Sequence, residues 1–216
     1  MGTLDQLFKG TFAPQRSCMN RIKSEHDTYS KAMNRANEDL KGQAYEDEFA
    51  RVWGGVYRDA RTTALASFDV NHDRAFDALR DGIMNEASQA PNSAANNVLT
   101  AFSMRSKLDK GDVEAAVKAC SGSFMALSTL RDVVHRVSPD CDAYLPVIPS
   151  LSEVLDTIEK QREARRESMH NYLDEKPGQT SAASELHNEL FDPESGLQSF
   201  FEVMDAVNEV LNGGKE

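Results

Sequence analysis

The chain has 216 residues, of which 40% are hydrophobic and 27% charged, and its formal net charge is −11. This composition is ordinary for a globular protein. Its three cysteines are odd in number and form no close pair, which argues against a disulfide scaffold and for a reducing compartment. We expect a cytoplasmic protein without a signal peptide or a membrane span, because no stretch approaches the roughly 18 apolar residues that cross a bilayer.

Negative charge is concentrated near the C-terminus. Residues 174–216 contain two basic and ten acidic residues, so this segment carries −8 of the total charge, and residues 1–173 are close to neutral. Binding to a phosphate backbone requires a concentrated positive patch, so direct nucleic-acid binding is not expected. An acidic segment instead favours a protein partner with a basic surface, although such segments also serve solubility alone.

The N-terminal residues 1–14 are predicted to form a short apolar arm. Thr3 to Gln6 resembles a weak capping box, and Leu4, Leu7 and Phe8 lie on one side of the turn that it opens. Two interpretations remain open for this arm. It either packs on its own domain or docks on a partner protein.

The next segment has a narrow apolar stripe with alternating spacings of three and four, which is typical of a coiled-coil helix. The stripe consists of Met19, Ile22, His26, Tyr29, Met33, Ala36 and Leu40. Because it is thin, this helix would be marginal alone and must pack on another element. Gly42 interrupts the phase, which restarts at Tyr45 and Phe49.

Trp53-Gly54-Gly55 is predicted to be the pivot of a long helical hairpin. Two glycines cost a helix roughly 2 kcal/mol relative to alanine, which favours a turn. A Trp-x-Gly turn between long helices resembles the hairpin of the small WxG-type secretion proteins, although their Tyr-x-x-x-acid signal is missing here. The alternative is a continuous helix, since Phe49, Trp53 and Val56 keep one phase, with the glycines admitting another backbone.

Residues 69–80 resemble the first half of a calcium loop, with acids or amides at the first, third, fifth and ninth positions. Arg74 replaces the glycine that makes the sharp turn, and Arg80 replaces the carboxylate that closes the ligand shell. We therefore expect a structural role, in which Asp69 or Asn71 caps the helix that follows.

The middle of the chain is predicted to be helical with several clear breaks. Asn92 or Ser93 and then Asp112 are expected to cap helices, the latter running to Val134 with Cys120 as a core residue. After a crossover, Ser150-x-x-Glu153 opens another helix. Its basic run contains Lys160, Arg162, Arg165 and Arg166. This run is either a solvated face or a landing site for the acidic segment.

After a linker at residues 174–183, the C-terminal segment is predicted to form acidic amphipathic helices. Asp192-Pro193 is a start signal for the last one, which places apolar side chains on one face and acids beside them. The candidate partner-binding residues of this helix are Leu197, Phe200, Phe201, Glu202, Met204, Asp205 and Glu209.

Signals for catalysis are incomplete. Glu167-x-x-His170 resembles half of a carboxylate-bridged di-iron site, but a second copy is absent. Glu153-x-x-Asp156 and Glu202-x-x-Asp205 each resemble half of the magnesium site of the all-helical nucleotide pyrophosphatases, and the partner Glu-x-x-Glu is also absent. We therefore predict no catalytic residue, no metal ligand and no cofactor.

The sequence as a whole predicts an all-α fold, a helical bundle of roughly seven or eight helices that includes a long helical hairpin and ends in acidic helices. The expected domains are an arm at 1–14, a bundle at 15–173, and a linker with acidic helices at 174–216. The favoured function is a non-catalytic interaction protein, such as an inhibitor, adaptor or assembly subunit, and a homo-oligomer is an open alternative. The alternative function is a small metal-dependent enzyme that uses Glu167 and His170 or the paired acids.

Overall fold

A computed structural model describes residues 3–39, 42–146, 149–174 and 202–207 of the chain. All regular structure in these ranges is helical, so the predicted all-α fold is confirmed. The elements are α1 (Thr3–Gly10), α2 (Ala13–Asp39), α3 (Gln43–Ser88), α4 (Ser93–Ser103), α5 (Lys110–Cys120), α6 (Phe124–Val137), a 3-10 helix (Pro139–Tyr144) and α7 (Leu151–Asp174). Residues 202–207 are also helical. None of the described helices combines the length and apolar content needed to span a membrane.

The described residues belong to two compact units. The first unit contains residues 3–8, 78–146, 149–161 and 202–207, and the second contains residues 9–39, 42–77 and 162–174. Both α3 and α7 contribute one part to each unit.

The first unit has a conventional apolar core formed by α4, α5, α6 and the 3-10 helix. Val113, Cys120, Leu130 and Val134 are fully buried in it, which confirms Cys120 as a core residue. Burial of such side chains contributes about 1.5–3 kcal/mol each. Side chains satisfy the exposed amides at the helix starts, as where the Asn92 side chain accepts a hydrogen bond from the Ala95 amide.

The helix predicted from Asp112 to Val134 is in fact two helices, α5 and α6. Gly122 has φ of 86°, a left-handed conformation that ends the first helix, and the side chain of Ser123 caps the second. The cap of α5 is Asp109, and Asp112 is its reciprocal partner in a capping box, so the prediction for Asp112 was three residues too late. The break was missed because the helical spacing of the apolar residues continues unchanged from α5 into α6.

The N-terminal arm packs on the chain itself. Leu4 and Phe8 of α1 are buried. A Cβ added at Gly82 of α3 would lie 2.7 Å from Leu7 Cδ1 and 3.1 Å from Leu4 Cδ2. Gly82 therefore provides the space that α1 occupies, which agrees with the first of the two interpretations of the arm.

The second unit is built on a hairpin of α2 and the first part of α3. The two helices are antiparallel, since Cys18 Sγ lies 3.6 Å from the Ala64 carbonyl oxygen and the rings of Tyr29 and Tyr57 stack with centroids 5.7 Å apart. The turn is at Gly42, whose φ of 124° is strained for any residue with a side chain.

The turn predicted at Trp53-Gly54-Gly55 was therefore wrong, because α3 continues through it for a total of 46 residues. The continuous helix of the alternative interpretation is confirmed. The close approach of another backbone is not seen in the described chain, because a Cβ at Gly54 or Gly55 would meet nothing within 4 Å. Tertiary contacts of the helix on either side outweigh the roughly 2 kcal/mol that two glycines cost.

Candidate functional site

Acidic residues of α3 and basic residues of α7 form a series of ion pairs in the second unit, which we call the charge ladder. Arg162 of α7 donates to Asp73 at 2.8 and 3.0 Å and to Asp77 at 3.1 Å. Arg166 also donates to Asp73 and lies 3.9 Å from Asp69. His170 Nε2 lies 3.0 Å from Asp69 Oδ1. These side chains are neither fully buried nor fully exposed, so water and salt reach the ladder.

The ladder follows from the spacing of four residues on each helix. Asp69, Asp73 and Asp77 lie one turn apart on one face of α3, and residues 162, 166 and 170 do the same on α7. Residue 69 contacts residue 170 and residue 77 contacts residue 162, so the two helices are antiparallel here. Asp73 accepts from two guanidinium groups and is the centre of the ladder.

Two predictions for these residues are corrected by this geometry. Asp69 and Asn71 do not cap a helix, because both lie inside α3, where the Asn71 side chain donates to the Ser67 carbonyl. The basic run of α7 is not a solvated face as a whole, because Arg162 and Arg166 contact the acids of α3. A landing site for the acidic segment stays a prediction, because residues 175–201 and 208–216 lie outside the described ranges. Lys160 alone of the run is exposed.

Arg165 is buried between aromatic rings, with only 2% of its surface exposed. Its guanidinium carbon lies 4.0 Å from the ring centroid of Phe12 and 5.4 Å from that of Phe76, which are cation–π distances. Its Nη1 donates to the hydroxyl and the carbonyl oxygen of Thr11 at 3.2 and 3.4 Å. Burial lowers the pKa of Arg165 to about 9, which leaves the guanidinium charged at neutral pH.

His72 is fully buried beside Arg165. Its ring lies between those of Phe68 and Phe76, with centroids 4.9 and 4.7 Å away. Nε2 lies 3.0 Å from the carbonyl oxygen of Arg162, so Nε2 carries the proton and donates it. Burial lowers the pKa of His72, since a charged imidazole would be desolvated there. Nδ1 has no hydrogen-bond partner among the described residues.

The predicted partner-binding residues are only partly within the described ranges. Leu197, Phe200, Phe201 and Glu209 lie outside them. Within residues 202–207, Met204 and Val207 are buried in the fold, and Glu202 and Asp205 are exposed. The apolar side of this helical stretch therefore packs on the chain, and its acidic side is the part in contact with solvent. Partner binding by this helix stays a prediction.

Two residues of the incomplete metal motifs, His170 and Glu153, have other contacts. Glu167 is exposed, and His170 contacts Asp69. Glu153 accepts from the Ser150 amide at 2.6 Å, and this bond lowers the pKa of its carboxyl. In the described part of the chain, no group of three or more His, Cys, Asp and Glu side chains is placed to hold a metal ion.

An apolar surface lies on the second unit near the start of α3. Phe49 and Trp53 are partly buried with ring centroids 5.9 Å apart, and Val52 and Val56 are 50% and 51% exposed. We call these four residues the apolar tip. Gly54 and Gly55 are in the same turns, and a Cβ added at either would meet no described atom within 4 Å.

The charge ladder was missed in the sequence, although a signal for it was present. Residues 69, 73 and 77 and residues 162, 166 and 170 form two runs of opposite charge with the same spacing of four. Each run was interpreted by itself, and only a comparison of the two predicts that the helices pair.

Comparison with protein-family models, curated proteins and solved structures finds no match to this chain.

Proposed function

We propose that the protein is a non-catalytic interaction protein, an inhibitor, adaptor or assembly subunit that binds another protein through helical surfaces. The observation that carries the proposal is the apolar tip. Val52 and Val56 expose about half of their surface at helical spacing, next to Phe49 and Trp53. When an amphipathic helix binds a partner, its contacts are made by apolar side chains at this spacing.

The two glycines beside the tip support the same proposal. Their cost to an isolated helix is roughly 2 kcal/mol, and no packing within the described chain requires a missing side chain at either position. A partner helix that approaches the backbone of α3 closely would require it. The glycines then have a role at an interface and none in the fold.

Charge defines the expected partner. Asp59 lies one turn after Val56 on the same side of α3 and is exposed, and Glu48, one turn before Val52, is paired with Arg51 at 2.5 Å. The segment 174–216 adds a charge of −8, with Glu202 and Asp205 exposed. A helix with an apolar strip bordered by Lys and Arg is complementary to both features, and the charges would raise the association rate and the specificity.

The test compares two sets of valines on one helix. Val52→Ser with Val56→Ser removes the exposed apolar surface of the tip, and Val70→Ser is the matched control, because Val70 is 58% exposed on α3 away from the tip. Affinity capture followed by mass spectrometry should recover a stoichiometric partner with wild type and with the control, and lose it with the double variant. Equal recovery with all three proteins would contradict a role for the tip.

The role of the acidic segment in binding is tested by substitution and not by deletion. Deleting residues 174–216 would remove the buried Met204 and Val207 and disturb the first unit. Glu202→Gln with Asp205→Asn changes only charge. Weaker capture, with a smaller dependence on salt, is expected if these acids contact a basic surface.

Two further measurements separate the remaining alternatives. Sedimentation of the purified protein over a range of concentrations tests a second copy as the partner, and self-association that the tip variant abolishes would identify it. Metal analysis tests the alternative function. Stoichiometric iron or manganese in the purified protein would contradict a non-catalytic role and favour an enzyme built on Glu167 and His170 or on the paired acids.

A further inference from the structure

The two halves of α7 are held in the fold by different forces. Residues 151–161 belong to the first unit, where Val154 and Ile158 are buried. Residues 162–174 belong to the second unit, and we call them the α7 arm. The arm contacts α3 through Arg162, Arg166 and His170 of the charge ladder and through Arg165, whose guanidinium carbon lies 5.4 Å from the ring centroid of Phe76.

Buried apolar side chains are few in the described part of the arm. Of its side chains that the structure describes, Met169 is the buried apolar one, and Arg165 is the buried cation. Apolar contacts are insensitive to salt, whereas partly exposed ion pairs weaken as the Debye length falls from ~10 Å at 0.1 M to ~3 Å at 1 M salt. The attachment of the arm should therefore respond to ionic strength in a way that the first unit does not.

Asp73 is the acid on which the charge ladder depends most. It accepts from both Arg162 and Arg166, whereas Asp69 and Asp77 each have one short contact with the arm. Loss of its charge leaves Arg162 with Asp77 and Arg166 with a 3.9 Å contact to Asp69. The ladder loses its central link while every helix keeps its backbone hydrogen bonds.

We propose that the α7 arm is a charge-held latch, which detaches from α3 while the first unit stays folded, and that the charge ladder sets how often it does so. Elements that open locally are those with few buried apolar contacts and solvent-accessible polar contacts, as the arm has. The device makes the second unit sensitive to ionic strength and to any polyanion or polycation that competes for the ladder. The proposal is independent of the partner proposed above.

Hydrogen exchange of backbone amides tests the latch without a partner. Wild type is compared at ~0.1 M and ~1 M sodium chloride, and exchange is read separately for residues 162–171 and 151–161. We expect faster exchange at high salt in the arm, with little change in the first half of the helix. No change in the arm, or an equal change in both halves, overturns the proposal.

Three variants, one of them a control, extend the test. Asp73→Asn keeps the shape of the side chain and should speed exchange of the arm about tenfold, equivalent to about 1.4 kcal/mol, with a reduced response to salt. Asp81→Asn is the matched control, because Asp81 is an exposed acid of α3 that makes no contact with the ladder in the described chain and lies away from the apolar tip. Asp73→Glu keeps the charge and should restore most of the protection. Equal rates in Asp73→Asn and in the control count against the latch.

Discussion

The two units of this protein bury their helix surfaces with different kinds of side chain. In the first unit the interior is apolar, with Leu130 and Val134 at its centre, and the polar groups are at the helix caps. In the second unit the interior includes His72, Arg165, Thr11 and Gln15, all buried. A buried charge or imidazole requires partners at defined positions, so this interior depends on geometry and on ionisation as well as on area.

The two units should therefore tolerate different conditions. Apolar burial is nearly independent of pH and salt, whereas ion pairs and buried titratable groups are not. The first unit should therefore respond to the loss of volume, and the second to the loss of charge, to pH and to ionic strength. Four predictions test this contrast, in order of decreasing effect.

The largest effect is expected from a cavity in the first unit. Leu130 is fully buried in the core, and Leu130→Ala should cost about 2–5 kcal/mol of unfolding free energy. Because the loss is one of packing, it should have the same size at low and high salt. Urea unfolding of both proteins at two salt concentrations measures it, with Met125→Ala, a substitution at an exposed site of the same helix, as control. A cost that depends strongly on salt would remove the contrast between the units.

In the second unit, Arg165→Ala should be the most damaging substitution. It removes two cation–π contacts and leaves the Thr11 hydroxyl and carbonyl without this donor, at a cost of about 2–4 kcal/mol. Arg136→Ala, at an exposed position of α6, should change stability by less than about 0.5 kcal/mol. Both are measured by urea unfolding.

The outcome with Arg165→Lys sharpens this prediction. Lysine keeps the charge but not the planar guanidinium that stacks on Phe12, so it should recover only part of the loss. Full recovery would mean that charge alone matters at this site, and stability equal to wild type in Arg165→Ala would show that the buried cation contributes nothing.

The sequence predicted the first unit better than the second. Helices, the apolar stripe through Leu130 and the burial of Cys120 could be predicted because each depends on local spacing. The break at Gly122 was hidden, because the apolar phase on its two sides happens to agree. The pairing of Asp73 with Arg162 and Arg166 joins residues about ninety positions apart, and no local pattern specifies which helices meet. The hairpin turn was predicted at Gly54 and Gly55, whereas Gly42, with a positive φ, lies at the observed turn.

The third prediction concerns acid. Burial holds the pKa of His72 below its ordinary value, so the unfolded chain binds a proton at a higher pH than the fold does. His72 therefore costs nothing above the ordinary pKa of about 6.5, and below it stability falls with a slope of up to about 1.4 kcal/mol per pH unit. His72→Phe preserves the stacking with Phe68 and Phe76 and should reduce the loss of stability between about pH 7.5 and 5.5.

Urea unfolding across this pH range measures the effect. The control is His135→Gln, since the ring of His135 is exposed on α6 and belongs to the first unit. This variant should keep the acid-dependent loss due to His72. An identical pH profile in His72→Phe and wild type would place the acid sensitivity elsewhere and weaken the contrast between the two interiors.

The smallest effect is expected at the glycines of α3, where a substitution should raise the free energy of unfolding instead of lowering it. Gly54→Ala should raise the free energy of unfolding by about 1 kcal/mol, because alanine has a higher helix propensity than glycine and the added Cβ meets nothing within 4 Å. Gly82→Ala on the same helix should show no such gain, because its Cβ would lie 2.7 Å from Leu7 Cδ1. Thermal unfolding of both variants measures the difference. If Gly54→Ala stabilises the isolated protein and also weakens capture of the partner, the glycine is retained for an interface. If Gly54→Ala destabilises the protein, the contradicting result, a close contact already covers the apolar tip.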